Sequence, residues 1–333
     1  MNLSSARDLK LEIARDVFAP IINDVLDRAL KPKLGTELIP SALRRIALGI
    51  ALGKKAGEFT LAVRLQTKSA VLRKVVERVR AKVGEEIDVR FVGRVEAHDD
   101  PADTGTLRGV CRPLVIGCSV AHIASTAGTL GLIANHRKTG RSVLLSNSHV
   151  LAQSGQGLPG DAITQPGRLD GGDGDDHVAA LLDSVALKMT GANHIDGAIA
   201  VVDDSVALKP NELPGVGAFT IPPPDIAIVP GMKVMKLGRT TGLTHGEIVA
   251  TELDDIVVDY PTGTATFDDQ IEITGVPNLP FSDRGDSGSL VVDETMQAIG
   301  LVFAGNPHAN DGRGLSYANH LSRAMAALDL ISL

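Results

Sequence analysis

At 333 residues the chain is long enough for two domains, and its 44% hydrophobic and 22% charged residues fit a globular protein and exclude fibrous and disordered classes. Aromatics make up 3% and Trp is absent, which argues against base-stacking nucleic-acid modules. The net charge of -7 hides an asymmetry: residues 1–97 carry 19 Lys+Arg against 12 Asp+Glu, and the remainder carries 14 against 28. The two parts therefore read as different domains, and the basic front reads either as a solvated face complementing its own acidic neighbour or as a surface for an acidic partner.

Met1 to Lys10 has neither an apolar core nor a small-residue cleavage site, so a cytoplasmic protein is expected. The long weakly charged stretch, Pro113 to Asn135, is interrupted by Gly, Ser, Thr and His, and no membrane partner is expected. Cys111 and Cys118 give no disulfide framework and no zinc spacing, and are expected to be buried thiols.

From the start, Leu9, Ile13, Val17, Ile21, Val25 and Leu26 recur at helical spacing across Ala6 to Leu30, with Pro20 set to kink or divide the run. Arg45 to Leu52 and Phe59 to Gln66 read as a hairpin across the turn Gly53 to Gly57. Lys68 to Val83 reads as an amphipathic helix closed by Gly84, followed by a strand over Ile87 to Val95. These make a small α+β domain, residues 1–97. The polar segment 98–106 loses all periodicity and reads as a linker. Over residues 107–333, short apolar runs alternate with Gly, Pro, Asn and Asp clusters, the rhythm of an all-β barrel or sandwich, closed by a helix over His320 to Leu330.

Three segments of this second part carry chemistry. A hydroxyl nucleophile needs an adjacent base, and the base needs a group that fixes its tautomer and stabilises its cation. Ser287 lies in Arg284-Gly-Asp-Ser-Gly-Ser289, where glycines permit a tight turn that can aim the amides of Gly285 and Ser287 at a developing oxyanion. His149 closes the strand-like run from Val143, which would hold an imidazole at a barrel rim. Asp196 opens the apolar run Gly197 to Val202, where an unpaired carboxylate would be costly.

The order His149, Asp196, Ser287 is similar to that of chymotrypsin-like serine proteases, and differs from the orders of subtilisin-like and α/β-hydrolase enzymes. The stretch Lys236-Leu-Gly-Arg-Thr-Thr-Gly242 resembles the corresponding segment of α-lytic-type bacterial proteases. The phrases Leu145 to Ala152, Gly160 to Gly167 and Thr126 to Gly131 resemble non-secreted bacterial trypsin-like proteins and plant narrow-leaf regulators. The resemblance covers about Leu107 to Leu330. It implies a mainly β fold, a chymotrypsin-like double β-barrel preceded by the small α+β domain. It further implies a serine endopeptidase acting through an acyl-enzyme, with Arg239 holding Asp286 to keep the oxyanion loop formed. No cofactor or metal is implied. The expected partner is a protein or peptide substrate, and regulation by the front domain or by homo-oligomerisation is a further expectation.

Departures from the pattern mark the specificity and support sites. Phe281 stands where trypsin-like enzymes keep an acid at the pocket floor, so a Lys/Arg preference is not expected, and a small or apolar residue is. Asp283, two residues on, reads as a loop-capping acid. Phe303 stands where relatives often place a serine that supports the triad acid, so Asp196 needs another donor. These two departures motivate an alternative reading, a catalytically silent relative that binds peptides or acts as a scaffold. Gly305 and Gly314 leave backbone open to pair with an extended peptide. Asp170 to His177 reads as an acidic surface turn, and His98, His177 and His194 as solvated or hydrogen-bonded side chains. His245 and His308 could touch substrate.

Overall fold

Strands rather than helices carry the architecture, and the computed structural model describes residues 1–21, 45–84, 86–97, 107–310 and 312–333. Helix Leu3–Ile13 starts on Asn2, whose side chain accepts the Ser5 amide at 2.8 Å. The helix widens into a π turn over Ala14–Phe18, just ahead of Pro20, which has no amide to donate. The expected continuation to Leu30 and the linker 98–106, with His98, lie outside the described residues.

Strands Ile46–Leu52 and Phe59–Leu65 form the expected hairpin. Helix Ala70–Val83, capped by Ser69 Oγ on the Leu72 amide, then crosses to strand Ile87–Phe91, which pairs parallel to Phe59–Leu65. Ile13, Val17, Leu48, Leu61, Val63, Leu72, Val75 and Val79 make the core between helices and sheet.

Strand Ile46–Leu52 also pairs antiparallel with Gly242–Asp254 of the following barrel, so the front sheet continues a barrel sheet. Gly49 permits that junction, because a Cβ there would lie 2.6 Å from Leu253 Cδ1 and 2.9 Å from Thr251 O. Arg64, fully buried on the front sheet, donates through Nε to both oxygens of the equally buried Glu272 of the barrel, at 2.7 and 2.9 Å. Asp88 at 3.0 Å and the Tyr317 hydroxyl at 3.2 Å complete this polar cluster. Burial alone would favour the neutral forms, but Glu272 and Asp88 raise the Arg64 pKa.

Two β-barrel halves follow. In the first, Leu132–His136, Ser142–Ser146, Ala198–Val202, His177–Ser184, Ala162–Thr164 and Ser119–His122 pair in that order around Leu130, Leu144, Leu151, Ile163 and Val178. The second closes on itself through Lys233–Gly238, Leu290–Asp293, Ala298–Asn306, Leu315–His320, Gln270–Gly275 and Gly242–Asp254, the last returning to the first. Ile116, Leu132, Leu145, Leu237, Leu290 and Leu301 pack between the halves. The last helix is Leu321–Ala327, shorter than the expected run, because the chain leaves it to add strand Leu330–Ile331 beside Leu132–His136. Among the described residues, no helix is long and apolar enough to cross a membrane.

Candidate active site

The three candidate residues come from both halves. His149 sits on the short helix Ser148–Leu151 that ends strand Ser142–Ser146, Asp196 precedes strand Ala198–Val202, and Ser287 precedes strand Leu290–Asp293 of the second barrel. Because strands 142–146 and 198–202 are neighbours, with Ser146 opposite Ala198, their ends bring His149 and Asp196 together. His149 Nδ1 lies 2.6 Å from Asp196 Oδ2. The serine loop packs against the same corner. The Thr129 amide donates to Ser287 O at 2.8 Å, and neighbouring Gly128 is bare: a Cβ would stand 2.4 Å from Val150 Cγ2 and 3.1 Å from Ser287 O. The Ser287 hydroxyl donates to Phe303 O at 3.4 Å.

Asp196 is fully buried, and its carboxylate accepts from a dense set of donors. Its Oδ1 accepts from the Ser148 amide at 2.7 Å and the His149 amide at 3.3 Å, and its Oδ2 accepts from the Tyr260 hydroxyl at 2.9 Å. The backbone is fixed too, since Asn147 Nδ2 donates to Asp196 O at 2.7 Å and Asp196 N donates to Asn319 Oδ1 at 2.9 Å. The donor that Phe303 cannot provide therefore comes from Tyr260. The sequence reading missed it because its strand, Ile256–Tyr260, lies far from the motifs; a tyrosine ending the run Ile-Val-Val-Asp-Tyr was the one signal. Burial, and then the charge of Asp196, hold the Tyr260 phenol well above its ordinary pKa, so it acts as a donor. The Tyr260 ring meets the His149 ring edge to face at 5.9 Å, and Phe267 links Tyr260 to Phe303.

The loop around Ser287 corrects one expectation. Arg239 does not hold Asp286. Its Nε and Nη2 grip Asp170 at 2.6 and 3.0 Å, and the Asp170 Oδ2 also accepts from Ser119 Oγ. Asp286 is instead paired with Lys236, Nζ to Oδ2 at 3.1 Å, both side chains fully buried. The Thr240 and Thr241 amides and the Thr241 hydroxyl complete its donors at 2.9, 3.2 and 2.6 Å. The reason lies in strand alternation: Val234 and Lys236 share the inward face of Lys233–Gly238, whereas Arg239 lies past the strand end. Burial pulls the Lys236 ammonium below its ordinary pKa, and Lys236, the Thr241 hydroxyl and backbone amides hold Asp286 below its own against burial.

Arg239 supports the loop differently, because its guanidinium lies under Gly285, where a Cβ would be 1.9 Å from Nη1. Gly285 has φ +91°, a left-handed conformation that glycine adopts without strain. Thr129 Oγ1 accepts the Arg239 amide at 3.2 Å and donates to Gly285 O at 2.9 Å. Asp170, expected in an acidic surface turn, is thus a buried anchor of this loop.

Phe281 is fully buried among Val234, Ile248, Ile273, Val291 and Val302, so its ring belongs to the barrel core. Asp283 accepts the Arg284 amide at 2.7 Å and caps its own loop, as expected. Beside it opens a pocket of about 380 Å³ lined by Arg284, Gly305, Asn306, His308, Arg94 and Glu96. His177 pairs with Asp203 and His194 with Asp268 O, and the described residues hold no group of three His, Cys, Asp or Glu able to bind a metal. His245 lines a separate cavity with Lys233 and Arg313.

Residues 213–331 match the family model of the Nal1 C-terminal domain. Protease A of Thermobifida fusca is similar over 66% of this chain and 98% of its own, at 16% identity and a TM-score of 0.45. A Nocardiopsis protease (65% and 96%, 18% identity, TM-score 0.45) and a Cellulomonas bogoriensis chymotrypsin (66% and 97%, 18% identity, TM-score 0.46) are similar to the same degree. The chain's own strand order, a closed six-stranded barrel packed against a second half-barrel, is a chymotrypsin-like double β-barrel fold.

Proposed function

We propose that the chain is a serine endopeptidase in which Ser287 is the nucleophile, His149 the general base and Asp196 its orienting acid. The observation that carries this reading is the 2.6 Å contact of His149 Nδ1 with a buried, fully donated Asp196, at the corner where the Ser287 loop packs. An acceptor on Nδ1 fixes the tautomer that presents Nε2 toward substrate. His149 takes the Ser287 proton as the hydroxyl attacks the peptide carbonyl, and Asp196 stabilises the imidazolium formed. The imidazolium then protonates the leaving amine, and water hydrolyses the acyl-enzyme by the same route. The amides of Gly285 and Ser287 donate to the oxyanion of each tetrahedral intermediate, and each such donor supports about 10²- to 10³-fold in rate.

The Lys236 and Asp286 pair supports a site that forms in the uncut chain, since the acid before the nucleophile has an internal cation. With Phe281 in the core, no acid at that position recruits a Lys or Arg side chain, which supports cleavage after small or apolar residues. Casein digestion by the purified full chain tests the activity. Ser287→Ala and His149→Ala should each reduce peptide release to background while circular dichroism stays unchanged; digestion by Ser287→Ala at the wild-type rate would overturn the assignment.

A further inference from the structure

We propose that Tyr260 is a positioning residue of this site and that the front unit holds it there. The inference rests on the protease reading. Tyr260 ends strand Ile256–Tyr260 of a hairpin completed by Gly263–Phe267, and its hydroxyl is 2.9 Å from Asp196 Oδ2, the oxygen that faces His149. Front-unit side chains grip that hairpin on both backbone and charge. Gln66 donates to Val257 O at 2.7 Å and accepts the Val257 amide at 3.1 Å. Arg45 makes a two-pronged contact with Asp259 at 3.1 and 2.8 Å, and Arg94 Nε adds a third bond at 2.7 Å. Asp259 neighbours Tyr260, so a shift of the front unit moves the hydroxyl that shares the Asp196 carboxylate.

Tyr260→Phe keeps the ring and removes only the donor. It should lower kcat on casein by about tenfold to hundredfold, the range for a hydrogen bond to a charged acceptor, with KM within about twofold. The low-field proton resonance of the His149 and Asp196 hydrogen bond should move as well. Arg45→Met with Arg94→Met, which leaves Tyr260 intact, should lower kcat in the same direction and covers the case in which Tyr260→Phe fails to fold. Unchanged kcat and an unmoved proton in Tyr260→Phe would overturn the proposal. If the wild type does not turn over at all, the protease reading fails, while the proton shift still decides whether Tyr260 orients Asp196 and His149.

A separate observation carries a second inference: the structure assigns Val95 to Ala97 the role of an internal strap on the peptide-binding edge. Gly305 was expected to offer backbone to an extended peptide, and its amide and carbonyl are taken by Glu96, at 3.2 and 3.3 Å in antiparallel pairing. The other side of the strap pairs with the hairpin through Asp259, and Glu96 is tied to Arg284, beside the oxyanion loop, at 3.0 Å. An extended substrate that uses the Gly305 edge must first displace this segment.

Glu96→Pro removes the amide that donates to Gly305 O. It should raise casein cleavage about tenfold, leave the rate of fluorophosphonate labelling of Ser287 unchanged, and speed amide exchange at Gly305. Slower or equal casein cleavage with an equally protected Gly305 amide would refute the strap. Absence of labelling in both proteins would instead refute the protease reading, and the Gly305 exchange rate would still report on the strap.

Discussion

Lys236 Nζ lies 3.1 Å from Asp286 Oδ2, and neither side chain reaches solvent. Removing one partner of such a pair strands a buried charge, at a cost of about 3 to 5 kcal/mol. Lys236→Met should therefore destabilise the fold by roughly that amount and displace the Gly285 to Ser287 loop, so that activity falls further than the melting shift alone explains. Thermal melts and casein turnover on the same samples check this. The pair also predicts that the uncut chain is active, and activity confined to a chain cleaved ahead of the barrels would contradict it.

Arg64 and Glu272 join the front sheet to the second barrel through a fully buried contact. Arg64→Ala leaves Glu272 with the Tyr317 hydroxyl and should cost about 3 to 5 kcal/mol. Arg64→Met with Glu272→Leu, which removes both charges, should recover most of that loss. Urea unfolding of the three proteins checks the cycle.

Asp259 supplies a pH dependence. Burial opposes its charge, but Arg45 and Arg94 hold its folded pKa below the ordinary 3.8. A carboxylate depressed in this way stabilises the folded state above its unfolded pKa, and that stability is lost as pH falls through the folded value. The front unit should therefore loosen from the hairpin below about pH 4. Hydrogen exchange at Val257 and Asp259 should rise there, and Asp259→Asn should show the faster exchange already at neutral pH.

The two cysteines differ in reactivity. Cys111 is half-buried and its pKa is lowered to about 7, first by a hydrogen bond from Cys118 and then by the charge of Arg112, against burial. Cys118 is fully buried and raised well above its ordinary value. Iodoacetamide at pH 8 should label Cys111 and spare Cys118, and peptide mapping reads the result.

Much of the candidate site is legible in the sequence because its parts are local. Ser287, His149 and Asp196 each sit where a strand meets a turn, and strand ends carry that signal in sequence. The hairpin Ile46–Leu52 with Phe59–Leu65 was equally readable from alternation and its Gly-bearing turn. What connects distant strands was not. The pairing of Ile46–Leu52 with Gly242–Asp254 spans about two hundred residues, and nothing local announces it. The Tyr260 hydroxyl and the Asp170 grip on Arg239 belong to the same class, since they join residues 64 and 69 positions apart. Lys236 was readable in principle, as a charge on the inward face of an alternating strand. Arg239 drew the assignment because its segment resembles one in which an arginine serves.

The central claim is that Ser287 is the activated nucleophile. Intact-mass analysis after exposure to a fluorophosphonate should show one adduct per chain, mapped to Ser287, with labelling lost in Ser287→Ala and strongly slowed in His149→Ala. Equal labelling of wild type and Ser287→Ala, or no adduct on the folded wild-type chain, would contradict it.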